Sequence, residues 1–248
     1  MQLHMYGALP LISRKGQLFG NPVWKMDESV VVATAFGKDP LKIHQILEER
    51  RKHYDITEIR ADLFEGTEDA FRLADKARSS RIPFIFTYRS TDISEARYAY
   101  AGSLKHEPAA IDLDLEIAPI AESMPRVPLI VSYHGKEVDV ISKFKQILAF
   151  KPSACKIAID YEDRRSFLSD LRKVGRFKRD NGTAVSLIPM GETYRGDRLL
   201  SAMLLSDLIY AALDTAAAPG QPTIEEAWEM KEITSEFLGN GSQSRDYE

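Results

Sequence analysis

Among the residues of this 248-residue chain, a lysine inside an apolar run most needs a chemical explanation. Lys156 lies in ACKIAID (154–160), between Cys155 and Ile157, where burying an unpaired ammonium costs several kcal/mol. The neutral amine is a nucleophile toward carbonyls, and desolvation or neighbouring arginine charges favour that form. A strand-edge lysine snorkelling to solvent is the plainer reading. His134 ends a second run, VPLIVSYH (127–134), and precedes Gly135. A histidine so placed suits general acid–base work near neutral pH. The other histidines, His4, His44, His53 and His106, fall in the N-terminal tail, on a helix and in a loop. Arg60 and Arg89 end two further runs, and Arg198 lies in the segment after another. They either pair structurally with acids such as Glu58 or Asp62, or bind an anion, most simply a carboxylate. Asp112, Asp114 and Glu116 alternate along one strand and share a face, but no second histidine stands near to complete a metal set.

The elements that must position these groups recur at a regular interval. Eight short β-branched or apolar runs stand at 30–34, 56–60, 82–89, 109–115, 127–134, 154–160, 183–188 and 207–213. They are nearly continuous in hydrophobicity, as parallel strands covered on both faces are. Helical patterns occupy 40–54, 67–80, 136–150, 162–179 and 223–238, and Thr67 is expected to cap the second of them. The stretch after the third strand, STDISEARYAYAGSLKHEP, lacks a clean stripe at its start and reads as a long loop at the catalytic mouth. Strand then helix, eight times in this length, predicts an α/β fold: a single-domain (β/α)₈ TIM barrel over 29–238. A doubly wound open sheet is the alternative, weakened by the lack of a glycine-rich loop after the first strand. Residues 1–28 read as a hairpin closing the barrel bottom, and 239–248, ending GNGSQSRDYE, as a disordered tail. In a barrel the C-terminal strand ends face the active site. Glu58, Arg60, Arg89, His134, Lys156 and Arg198, with the loop Ala218-Pro219-Gly220-Gln221, therefore converge.

Composition narrows the partners. A net charge of −4, with 44% hydrophobic and 28% charged residues, describes an ordinary globular chain without a footprint for nucleic acid. No run approaches the length of a membrane helix, so no membrane partner is expected. Cys155 is the single cysteine, which excludes an intramolecular disulfide and fits a reducing, cytoplasmic location.

The pieces EIRAD (58–62), TYRS (87–90), VSYHG (131–135), CKIA (155–158), PMGETYRGDR (189–198) and APGQ (218–221) occur in order over about 29–230. Together they resemble the type I 3-dehydroquinate dehydratases of the shikimate pathway. The resemblance implies that Lys156 forms an imine with the C3 carbonyl of 3-dehydroquinate. It further implies that His134 takes a C2 proton and returns a proton to the departing C1 hydroxyl, a syn elimination giving 3-dehydroshikimate. Arg198 and Gln221 would hold the carboxylate and nearby polar groups; Glu58, Arg60, Arg89 and Thr34 would hold ring hydroxyls. It implies no metal and no cofactor, and a homodimer.

Departures from the family pattern are specific. Ile93 stands where an acid usually orients the histidine, leaving Asp92 or Glu95 to substitute. Ala217 replaces a lid serine, Asp197 a serine before Arg198, Tyr194 a glycine, and Gly135-Lys136 the usual pair after the histidine. Two other readings remain: an aldolase-like imine-forming barrel, which has no use for APGQ, and a non-catalytic quinate-sensing domain, which has no use for the lysine and histidine.

Overall fold

The computed structural model describes residues 29–136 and 138–239. The hairpin expected over 1–28 lies outside them, as does the expected tail except for Gly239, the last residue of the final helix. The eight strands form where the apolar runs predict them: β1 (Val30–Ala35), β2 (Ile56–Arg60), β3 (Phe84–Thr87), β4 (Ala110–Asp114), β5 (Leu129–Lys136), β6 (Ala154–Asp160), β7 (Ala184–Pro189) and β8 (Leu208–Ala212). All neighbouring pairs are parallel, in the order β7-β6-β5-β4-β3-β2-β1-β8. Polar groups stitch the two end strands into a nearly closed barrel. Asp207 donates its N–H to the Val185 carbonyl (2.8 Å), and its carboxylate accepts from the Val185 N–H (2.8 Å). Ser206 Oγ accepts from Leu187 N–H (3.1 Å), and Ser186 Oγ donates to Leu208 O (2.8 Å).

The helices are α1 (Pro40–Glu49), α2 (Thr67–Ser79), α3 (Ile93–Ser103), α4 (Val140–Leu148), α5 (Arg164–Asn181), α6 (Arg195–Leu204) and α7 (Ile224–Gly239). Three expectations change. Gly66, not Thr67, is the N-cap of α2, with no side-chain hydrogen bond at that cap. The supposed loop after β3 contains α3, capped by Asp92, whose carboxylate accepts from the Ser94 and Glu95 N–H groups. Its buried stripe is Ala96, Ala99, Tyr100 and Ser103, three small residues around one aromatic, which give little hydrophobic contrast. Between β4 and β5 only a 3₁₀ segment (Ala118–Ser123) forms, so the strand–helix alternation is not eightfold among the described residues.

Two apolar shells hold the barrel. Outward strand residues pack on helices, as with Ile59 and Phe86 against Leu73 and Tyr100, or Ile157 and Val185 against Phe144 and Phe177. Inside, Val30, Val32, Ile56, Ile85, Ala110, Ile130, Ala154, Leu208 and Tyr210 form a separate cluster. Strand side chains alternate faces, so the next inward residue lies two positions on. Stepping two along from Val32, Ile56, Ile85, Ala110, Ile130 and Ala154 gives Thr34, Glu58, Thr87, Asp112, Ser132 and Lys156, all buried. An apolar plug thus carries a polar layer directly above it.

Candidate active site

Lys156 is the cation of that layer. It is 5% exposed; its Nζ donates to Asp112 Oδ2 (3.0 Å), lies 3.5 Å from Glu58 Oε1, and sits 3.6 Å from the Tyr210 ring centre. The sequence suggested that arginine charge would press on this amine. The charged groups in direct contact are instead two carboxylates, and Arg89 reaches it only through Asp112. Glu58 is further held by Thr34 Oγ1 (3.1 Å) and Thr87 Oγ1 (3.0 Å). Burial pushes the Glu58 pKa up, but the Lys156 ammonium, then Arg60, outweigh it and leave the carboxyl below its ordinary range.

In the β5–β6 register Ser132 pairs with Lys156 and His134 with Ala158. His134 therefore lies one inward step, about 6.6 Å, nearer the mouth than the lysine. Its Nδ1 stands 3.0 Å from Asp114 Oδ1. Burial first and Arg89 second pull its pKa down to about 4, while the Asp114 hydrogen bond opposes them. With 32% of the side chain open to water at the mouth, solvation of the imidazolium moderates that depression.

Neither acid proposed from sequence touches this histidine: Asp92 caps α3 and Glu95 accepts from Ser90 Oγ. Asp114 takes that place. Of the acids first weighed as one face of β4, Glu116 lies in the turn beyond the strand, and the other two are already engaged. Asp112 accepts from Arg89 Nη2 (2.9 Å), Lys156 and Ser132 Oγ (2.6 Å), and Asp114 Oδ2 from Arg89 Nη1 (2.6 Å). Burial would raise the Asp112 pKa, yet Arg89, Lys156 and His134 hold it well below the carboxylate range.

The three arginines are in different states. Arg60 forks onto Asp62 (3.1 and 2.8 Å), and Arg89 ties Asp112 to Asp114. Arg198 gives Nε to Pro189 O (2.8 Å) and Nη2 to Pro219 O (2.9 Å), clamping the loops after β7 and β8, and makes no ion pair among the described residues. Burial, reinforced by Arg195 and opposed by Glu192, depresses its pKa to about 10, the mark of a cation short of an anion. The two clamped loops touch at Gly220, whose φ is +73° and whose N–H donates to Glu192 Oε2 (2.7 Å). A Cβ there would lie 2.3 Å from Gly191 O. Next to it, Gln221 accepts from the Ala217 N–H (2.8 Å) and donates to Thr34 Oγ1 (3.0 Å), a chain ending on Glu58. Asp197 turns away to Arg164 (2.8 Å), and Tyr194 donates to Tyr161 O (3.2 Å).

Ser132, Thr87 and Tyr210 belong to the site and escaped the sequence reading, although inward alternation from Lys156 and Glu58 points to that layer. The Cys155 thiol, on the outward face, is pushed up to about 12 by burial and is no nucleophile.

Fold and site define a parallel (β/α) barrel whose mouth sets a buried primary amine below an imidazole, the equipment for amine-dependent carbonyl chemistry. The chain belongs to the type I 3-dehydroquinase family, whose model matches residues 31–236. It is 29% identical over 198 residues to the 3-dehydroquinate dehydratase of Thermoplasma volcanium, covering 78% of this chain and 84% of the relative. It is 31% identical over 199 residues to that of Thermococcus onnurineus, covering 71% and 89%. The crystal structure of 3-dehydroquinate dehydratase from Geobacillus kaustophilus shares the fold, with TM-score 0.74 and 21% identity over 92% of this chain and 97% of the other. No helix among the described residues is long and apolar enough to cross a membrane.

Proposed function

We propose that this chain is a 3-dehydroquinate dehydratase working through an imine on Lys156. The observation that carries the mechanism is the amine itself, 5% exposed and one inward step below His134. Attack on the substrate's C3 carbonyl needs the neutral amine; Asp112 and Glu58 are the bases within reach of its proton. Loss of water gives the iminium. His134 then removes a C2 proton, the electron pair passing into the iminium as an enamine. Its return expels the C1 hydroxyl, protonated by the same imidazole, and hydrolysis frees the enone and the amine. The un-neutralised Arg198 takes the substrate carboxylate, with Gln221 beside it. Thr34, Glu58, Arg60 and Arg89 line the ring hydroxyls or set the groups that do. The family resemblance supports a homodimer, and the lone buried cysteine fits a cytoplasmic setting.

Neither a metal nor an organic cofactor enters this scheme. Following enone absorbance after adding 3-dehydroquinate, with a chelator present, tests it. Turnover insensitive to chelator is expected, with loss of most of it in His134→Ala. Near-wild-type turnover in that variant removes His134 from the base role, and no enone at all overturns the activity.

A further inference from the structure

We infer that Asp114, locked in orientation by Arg89, selects the His134 tautomer whose Nε2 is the bare, proton-accepting nitrogen. The inference rests on His134 being the base and deepens that reading. Asp114 presents one oxygen to each neighbour: Oδ2 accepts from Arg89 Nη1 (2.6 Å), and Oδ1 faces His134 Nδ1 (3.0 Å). A carboxylate accepts on both oxygens, so Nδ1 must carry the hydrogen and Nε2 the lone pair.

Arg89 cannot relax this arrangement. Its Nη1 also donates to Ser132 Oγ (2.7 Å), and its Nη2 to Asp112 Oδ2 (2.9 Å), the oxygen that also accepts from Lys156 Nζ. Ser132 Oγ in turn donates to Asp112 Oδ1 (2.6 Å). One continuous chain therefore runs from Lys156 Nζ through Asp112, Arg89 and Asp114 to His134. Asp114 is a positioning residue in it, acting through the imidazole rather than on substrate.

The geometry makes Asp114→Asn a sharp probe. Arg89 is a donor only, so it claims the amide oxygen and turns the amide nitrogen toward His134. An N–H donor facing Nδ1 forces the opposite tautomer, with the hydrogen on Nε2, and the base is lost without a change in shape. The same exchange behind the serine-protease histidine lowers kcat by about 10⁴. Here kcat is expected to fall by between about 10² and 10⁴-fold, with KM within about threefold.

Three readouts decide. Nitrogen-15 NMR of the imidazole should show hydrogen on Nδ1 in the wild type and on Nε2 in Asp114→Asn. Borohydride with 3-dehydroquinate should still trap an adduct in the variant. An unchanged kcat, or a wild-type His134 carrying its hydrogen on Nε2, overturns the inference while leaving the dehydratase reading intact. The wild-type spectrum keeps the inference testable if the variant fails to fold. A wild-type protein giving no adduct overturns the dehydratase reading and this inference with it.

Discussion

Replacing Lys156 with methionine keeps most of the side-chain volume and deletes the charge, which isolates what the ammonium does for the barrel interior. Lys156, Glu58 and Asp112 are all nearly fully buried, and removing one partner of a buried ion pair costs about 3–5 kcal/mol. Asp112 retains Arg89 and Ser132, and Glu58 retains two threonine hydroxyls, which places the loss near the lower end, at about 3 kcal/mol. For a chain of this size that corresponds to about 6–12 °C in Tm. The deficit has a defined pH dependence. In the wild type Glu58 titrates below its ordinary 4.5 because Lys156, then Arg60, outweigh burial. Its stabilisation is therefore present above the unfolded pKa and lost as pH falls through the folded one. Without Lys156 burial dominates, the folded pKa rises, and the buried carboxylate costs stability as pH climbs past about 4.5. Lys156→Met should thus trail the wild type most at pH 7 and recover part of the difference at pH 5. Urea unfolding of both proteins at the two pH values measures this. A deficit below about 1 kcal/mol at pH 7, or one that does not shrink on acidification, refutes the picture of Lys156 as counter-ion to a buried carboxylate pair.

Two further outcomes are expected. Because burial and Arg89 depress the His134 pKa against the opposition of Asp114, the neutral base persists below pH 6.5. The acid limb of kcat/KM should then have an apparent pKa between about 4 and 6.5, and a limb above 6.5 contradicts the placement. Gly220→Ala combines a positive φ with a Cβ 2.3 Å from Gly191 O, so the loop carrying Gln221 must move away from the loop after β7. KM for 3-dehydroquinate should rise by about tenfold or more with circular dichroism unchanged; an unaltered KM shows that this loop contact does not shape the site.

The strands were legible because a parallel sheet covered on both faces writes itself as continuous apolar runs, and Lys156 and His134 stood out as exceptions to them. That same continuity hid the alternation inside the barrel. The polar layer of Thr87, Asp112 and Ser132 is visible only once it is known which face of each strand points inward. Helix α3 was obscured because its buried stripe is alanine and serine apart from Tyr100. The partner of His134 could not be read from spacing: Asp114 lies on another strand, and only the β4–β5 register, which sets Asp114 beside Ser132, brings it to the imidazole. The arginines divided along the same line. Their positions were evident from sequence, and pairing with Asp62 was one of its alternatives, realised by Arg60; bridging by Arg89 and the unbalanced charge of Arg198 are properties of three-dimensional contact.

Borohydride reduction during turnover bears most directly on the central claim. With 3-dehydroquinate present, intact mass followed by peptide mapping should find one covalent adduct, on Lys156, and none in Lys156→Met. No adduct in the active enzyme, or an adduct that survives loss of Lys156, contradicts the imine mechanism.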